Sequence, residues 1–281
     1  MILGSYGFGF AIVAGTLVVS IAGLLLVRRY VGVARLKAYE RVGGYLLSII
    51  GTLYAVLLGF VVVHALSNLQ AARLTVEHEA NALANIFLAA DGLEEPDRSG
   101  IQQLCRSYAD IVMDEEWKLM EKGQFSKAAF GVTHDLWGSI SHLRPSNDSE
   151  RNLQYSMLGS IADLSANRRT RLISSEHGIA DLMWFVLIAG GICVLLFTFF
   201  FAMESIRVQI FMTTLIAFTI SLSMFAISTF GYPFLGDGAV HPDAFRLDRV
   251  IFRDHINRQR VGSKGGTGAT IPSARNNRTL P

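Results

Sequence analysis

Apolar positions run almost unbroken twice in the first 70 residues and twice more after residue 181. Met1 to Val27 carries no charged side chain, and Val42 to Gln70 carries no Asp, Glu, Lys or Arg. A helix needs roughly 20 apolar residues to cross the hydrocarbon of a bilayer. The pattern therefore predicts spans near residues 6–27, 44–66, 182–202 and 208–230. Only "MESIR" (Met203 to Arg207) separates the last two, so they form a tight antiparallel hairpin. The first run lacks the basic flank and small-residue cleavage site of a signal peptide and reads as a retained span.

Between spans two and three the period changes. In "EHEANALANIF", Val76, Ala80, Leu83 and Phe87 recur at helical spacing, and no proline or glycine follows Gly59 until Gly92. The stretch from Tyr54 to Leu83 is read as one helix that leaves the membrane between His64 and Arg73. A second helix follows Pro96, with Ile101, Leu104, Tyr108, Ile111 and Val112 on one face, and stops near Gly123. A third covers Lys127–Leu143. Met157, Leu158, Ile161, Leu164 and Leu172 predict a long helix running on into span three.

The fold class is an all-α integral membrane protein: four transmembrane helices in two hairpins, with a helical extramembrane insert between spans 2 and 3. The units are 1–70 (hairpin 1), 71–180 (insert with stalk helices), 181–232 (hairpin 2) and 233–255 (turn and amphipathic segment). Residues 256–281 form an acid-poor basic tail, expected to be disordered from its composition.

Composition agrees. The chain is 51% hydrophobic and 17% charged, against about 25% charged in soluble domains. A net charge of +2 and the lack of a basic stripe interleaved with aromatics exclude a nucleic-acid partner. Cys105 and Cys193 fall in an amphipathic helix and an apolar span, and both read as packing residues. Arg28, Arg29, Arg35, Lys37, Arg41 and Arg207 flank one membrane face; Arg73, Arg168, Arg169, Arg171, Arg246 and Arg249 flank the other. The uncharged N-terminal flank of span one favours an extracytoplasmic insert and termini in an inner membrane, while the basic tail argues the other way.

"YAVLLGFVVV", "EHEANAL", "YADIVMDEEW", "RRTRL" before "DLMWFVLIAGG", and "YPFLGDGAV" stand in an order and spacing that resemble the bestrophin-like domain family of bacterial four-span membrane proteins. The resemblance runs from Leu47 to Phe245. Gly231 and Tyr232 stand where that family usually has an acidic or polar residue before the Pro-Phe-x-Gly turn. It implies a topology of two spans, a helical insert and two spans. By analogy with bestrophin anion channels, it also raises the prospect of a pore.

Candidate residues follow from spacing. Gly44, Ser48, Gly51, Ala55 and Gly59 share one face of span two, where small side chains permit close helix approach in lipid. They serve either packing against span one or three, or an oligomer seam or pore wall. Thr214, Ser221 and Ser228 recur every seven residues along span four, within about 40° around the axis. Their hydroxyls either line a hydrated path or bond carbonyls one turn back. Phe218 and Phe225 flank them as candidate dewetting constrictions. His64, the one ionisable residue in a span, is either a gating group or an interfacial marker. Glu79 and Glu116 are expected to pair with Arg168, Arg169 or Arg171. Asp114, Glu115 and Glu116 read as a solvated face with Trp117 packed inward.

No catalytic constellation, metal-ligand spacing or phosphate loop is present in the sequence, so neither an enzyme nor a cofactor is expected. The partners implied are the lipid bilayer, further copies of the chain and small ions. Two functions are compatible: an oligomeric ion channel or transport protein, or a membrane-anchored sensor whose insert binds a ligand or partner.

Overall fold

The computed structural model describes residues 6–31, 33–176, 178–200, 203 and 205–265. Every described element is helical: α1 (Tyr6–Val31), α2 (Val33–Ala89), α3 (Asp97–Ile111), α4 (Trp117–Met120), α5 (Lys127–Ser141), α6 (Asp148–Glu176), α7 (Asp181–Phe199), α8 (Ile206–Phe230) and α9 (Asp243–Gly265). Helices α1, α2, α7 and α8 are long and apolar enough to cross a membrane.

Helix α2 is the axis of the molecule and is as continuous as its sequence predicts. Tyr54, Leu58, Val61, Ala65, Leu69, Ala72, Val76, Ala80 and Leu83 are all buried. Their steps of three and four keep one face inward over both environments. The lower part of that face meets Leu187, Val194, Ile220 and Ile227 of α7 and α8. The upper part joins the core of the extramembrane bundle, with Ile101, Tyr108, Leu136, Ile140, Ile161 and Leu164. Helix α6 runs along α2 for most of this bundle.

The first hairpin is open. Helix α1 packs chiefly on α8 and α7. The Phe225 ring covers Gly9, and Phe199 covers Gly23. The Tyr6 amide donates to Asp237 Oδ2 at 2.9 Å, and Arg28 Nη1 donates to Met203 O at 3.1 Å and Gln209 Oε1 at 2.6 Å. Both ends of span one are thus fastened to the second hairpin and its flanks.

Two expectations change. Helix α6 does not run on into span three: it ends at Glu176, and Ala180 takes an extended conformation before α7. At the break Gly178 lies directly under the Tyr232 ring, where a side chain has no room. Helix α9 also continues through Gly265, so the tail expected from residue 256 is helical over its first ten positions; 266–281 lie outside the described residues. The side chains of Arg35, Lys37 and Arg41 do so too.

Candidate functional site

Two places gather the residues singled out by sequence. The first is a buried ion cluster in the extramembrane bundle. The face that carries Ile101, Cys105, Tyr108 and Val112 into the core would drift outward along a straight α-helix. A single π-turn at Val112–Glu116 absorbs the drift and turns Glu116 and Met120 inward. Asp114 and Glu115 are exposed, but Glu116 is fully buried, which corrects the expectation of one solvated acidic face.

Arg171 of α6 donates from Nε and Nη2 to Glu79 of α2, at 2.6 and 2.8 Å. Its Nη2 also reaches Glu116 Oε2 at 2.8 Å. Arg168, one turn earlier, donates to Glu116 Oε1 at 2.5 Å and to Ser126 O at 3.2 Å. Tyr108 donates its hydroxyl to Glu79 at 2.6 Å. The Arg171 guanidinium lies 5.1 Å from the centre of the Trp117 ring. Of the three arginines offered as alternatives by the sequence, Arg168 and Arg171 meet the two carboxylates and Arg169 points to solvent.

Burial opposes charge on Arg171, yet Glu79 and then Glu116 outweigh it and hold the guanidinium above its ordinary value. Burial likewise opposes Glu116, but Arg168 and Arg171 pull its carboxyl below the usual range. Burial, then the Glu79 charge, push the Tyr108 phenol well upward. Two carboxylates, two guanidiniums and their hydrogen bonds make a neutral, satisfied set that clamps α6 to α2 and α3. Such a set fixes geometry rather than supplying a reactive group.

The second place is the outward side of α2 in the membrane. Gly51 and Gly59 have open space where a Cβ would stand, and Ser48, Ala55 and Gly59 are exposed while Gly44 is half-buried. At Gly51 and Gly59 the small-residue stripe therefore makes no close contact with span one or three. Beside it lie Thr52, Val56, Phe60, Val63, Ser67 and Gln70, all exposed and within about 80° around the axis. His64 is exposed on the far flank, with Nε2 3.3 Å from Asn68 Nδ2.

Span four behaves differently. Ser221 is buried and donates to Phe218 O at 3.1 Å; Ser228 donates to Phe225 O at 2.8 Å. Those hydroxyls satisfy their own helix. Thr214 is half-buried. Phe225 rests on α1, 6.3 Å from the Tyr6 ring centre, and Phe218 is exposed. Ser221, Phe225 and Ser228 share the lining of a largely apolar cavity of about 650 Å³ between α1, α7 and α8, whereas Thr214 and Phe218 stand outside it.

The match to known proteins decides the lineage: the bestrophin-like domain model covers residues 14–245. The chain belongs to the bestrophin-like family. The match takes in span one, further than the motifs reach. A mutant form of a bacterial bestrophin homologue from Klebsiella pneumoniae superimposes with a TM-score of 0.66 at 13% identity, over 87% of this chain and 98% of that one. A second structure of that homologue, phased on zinc, gives 0.64 at 14%, over 87% and 97%. At such identities the likeness is one of fold. Among curated proteins the chain has no match.

Within this bestrophin-like chain, Tyr232 of the turn "YPFLGDGAV" accepts a hydrogen bond from Trp184 Nε1 at 3.2 Å. Sequence reasoning missed Tyr108 as the partner of Glu79, having counted it only as an apolar face residue. It also passed over Val56, Phe60 and Val63, which carry no polar signal.

Proposed function

We propose that the chain assembles into a homo-oligomeric channel for small ions in the inner membrane, with the outward face of α2 as its wall. One observation carries this reading. Tyr54, Leu58 and Val61 turn one side of span two into the protomer, while the side that carries Thr52, Val56, Phe60 and Val63 is left exposed. The helix at the centre of the fold thus keeps a bare face.

The naked face is graded. Val56, Phe60 and Val63 are 53%, 73% and 66% exposed and form an apolar belt. Thr52 lies below the belt; Ser67, Gln70, Glu77, His78, Asn81 and Asn85 continue above it, all exposed. Around a common axis this makes a polar vestibule leading to an apolar constriction that gates by dewetting. The flanking stripe of Gly51, Ala55 and Gly59 gives neighbouring copies a close seam.

Four helices of one protomer enclose no such path, so assembly is required. Val63→Cys, in a background with the exposed Cys193 replaced by serine, tests it. With one reactive thiol per protomer, oxidation is expected to link protomers into disulfide-bonded dimers in membranes. A single monomer band together with a monomeric mass in detergent overturns the reading.

The second reading, an insert that binds a ligand, draws on a cleft of about 810 Å³ between α3 and α9 lined in part by Arg106, Arg249 and Arg253. Asp110 and Asp114 already hold Arg249. The break between α6 and α7 also removes one of the two continuous stalks that this reading used.

A further inference from the structure

Helix α9 lies across the outer ends of α2 and α3 and brings two titratable groups to its inner side. Asp248 is 4% exposed, and its Oδ2 has no hydrogen-bond partner. One turn on, Phe252 stacks on Phe87 of α2, ring centres 4.0 Å apart. His255 Nε2 then meets Asp91 Oδ2, just past the end of α2, at 2.5 Å. Gln259 and Gln102 donate to the other oxygen of Asp91 at 2.9 and 2.7 Å.

The surroundings of Asp248 offer an anion nothing. Its ionisable neighbour on α3 is the Cys105 thiol, which burial and Asp248 itself push upward. The arginines beside it on α9 are engaged elsewhere: Arg246 with Asp243, Arg249 with Asp110 and Asp114. Facing His255 are Asp91 and the edge of the Phe87 ring, 5.6 Å between centres, with Gln259 on its own helix. Ionising Asp248 in the docked position leaves a buried, unpaired charge. The contact of His255 with Asp91 holds the far part of α9 to the end of α2.

We propose that α9 is a proton-dependent latch on the outer end of the α2 stalk, closed when Asp248 carries a proton and loosened when it loses it. Burial raises Asp248 from the ordinary carboxylate value to about 7. Docking is therefore strongest below the ordinary value and weakens as pH climbs through the window up to about 7. The loss is up to about tenfold in the docking constant per pH unit. Above that window the Asp248 contribution is constant. The latch stands whether or not α2 lines a channel, since it rests on the α9 contacts alone.

Hydrogen exchange on the full chain in lipid nanodiscs from pH 5.5 to 8, corrected for intrinsic amide rates, tests it. In the wild type, protection of residues 243–256 is expected to fall about tenfold or more as pH rises to 7.5. Asp248→Asn, a neutral isostere, is expected to keep α9 protected at pH 8. His255→Gln, which removes the contact with Asp91, is expected to lower protection across the pH range while keeping the Asp248-dependent slope. Peptides from α6 report whether each variant is folded. Flat wild-type protection, or Asp248→Asn tracing the wild-type curve in a folded protein, overturns the proposal.

Discussion

Arg171 and Glu79 face each other fully buried, joined by two hydrogen bonds of 2.6 and 2.8 Å, and so tie α6 to the helix that becomes span two. A buried ion pair adds little over an apolar pair of the same shape, but losing one partner strands the other. Glu79→Ala is therefore expected to destabilise the bundle by about 3–5 kcal/mol, read as a fall in denaturation midpoint in detergent. Arg169→Ala, a change at the exposed neighbour, is expected to stay within about 0.5 kcal/mol. Equal effects of the two substitutions would remove the cluster from its place at the centre of the bundle.

Acid should open the same cluster. The Glu116 carboxyl sits below its ordinary value because Arg168 and Arg171 outweigh its burial. A depressed carboxyl contributes stability that is complete above the ordinary carboxylate value. That stability is lost as pH falls through the folded value. Bundle stability in urea is expected to drop below about pH 4.5 in the wild type. In Glu116→Gln the drop should be shallower and the starting stability lower.

In the membrane, Tyr54 is the counterpart of Arg171. Its hydroxyl donates to Leu187 O at 3.0 Å, and its ring lies over Gly190, where a Cβ would meet it at 2.6 Å. Tyr54→Phe should cost about 1 kcal/mol, and Gly190→Val about 1–3 kcal/mol. A thermal melt showing Gly190→Val at wild-type stability would mean that α2 and α7 do not meet there.

Assembly gives a contrasting prediction. Gly59 and Gly51 have open space beside them, so Gly59→Leu leaves the protomer within about 0.5 kcal/mol of wild type. Native mass spectrometry is expected to show the oligomer weakened or lost. An intact oligomer would move the seam elsewhere.

Much of this was legible in the chain. The four spans and the continuous α2 follow from period, while charge offered Arg168, Arg169 or Arg171 as partners of Glu79 or Glu116 without choosing among them. What could not be read were choices made by packing. The small face of span two was open to contact with span one or three, but α1 leans on α8 instead. Ser221 and Ser228 show the same spacing whether they bond water or their own helix. The π-turn that buries Glu116 has no sequence signal of its own, nor does the break between α6 and α7. Asp248 looked like one more polar residue of an amphipathic helix until its surroundings were known.

The central claim is that the naked face of α2 lines an ion path whose constriction is apolar. Ion current through planar bilayers containing the purified protein, wild type against Phe60→Ala, tests it most directly. The account predicts a finite wild-type conductance and a several-fold larger one when the 73% exposed ring is removed. No current from either protein across the ions and pH values tried, with the oligomer intact, would contradict it.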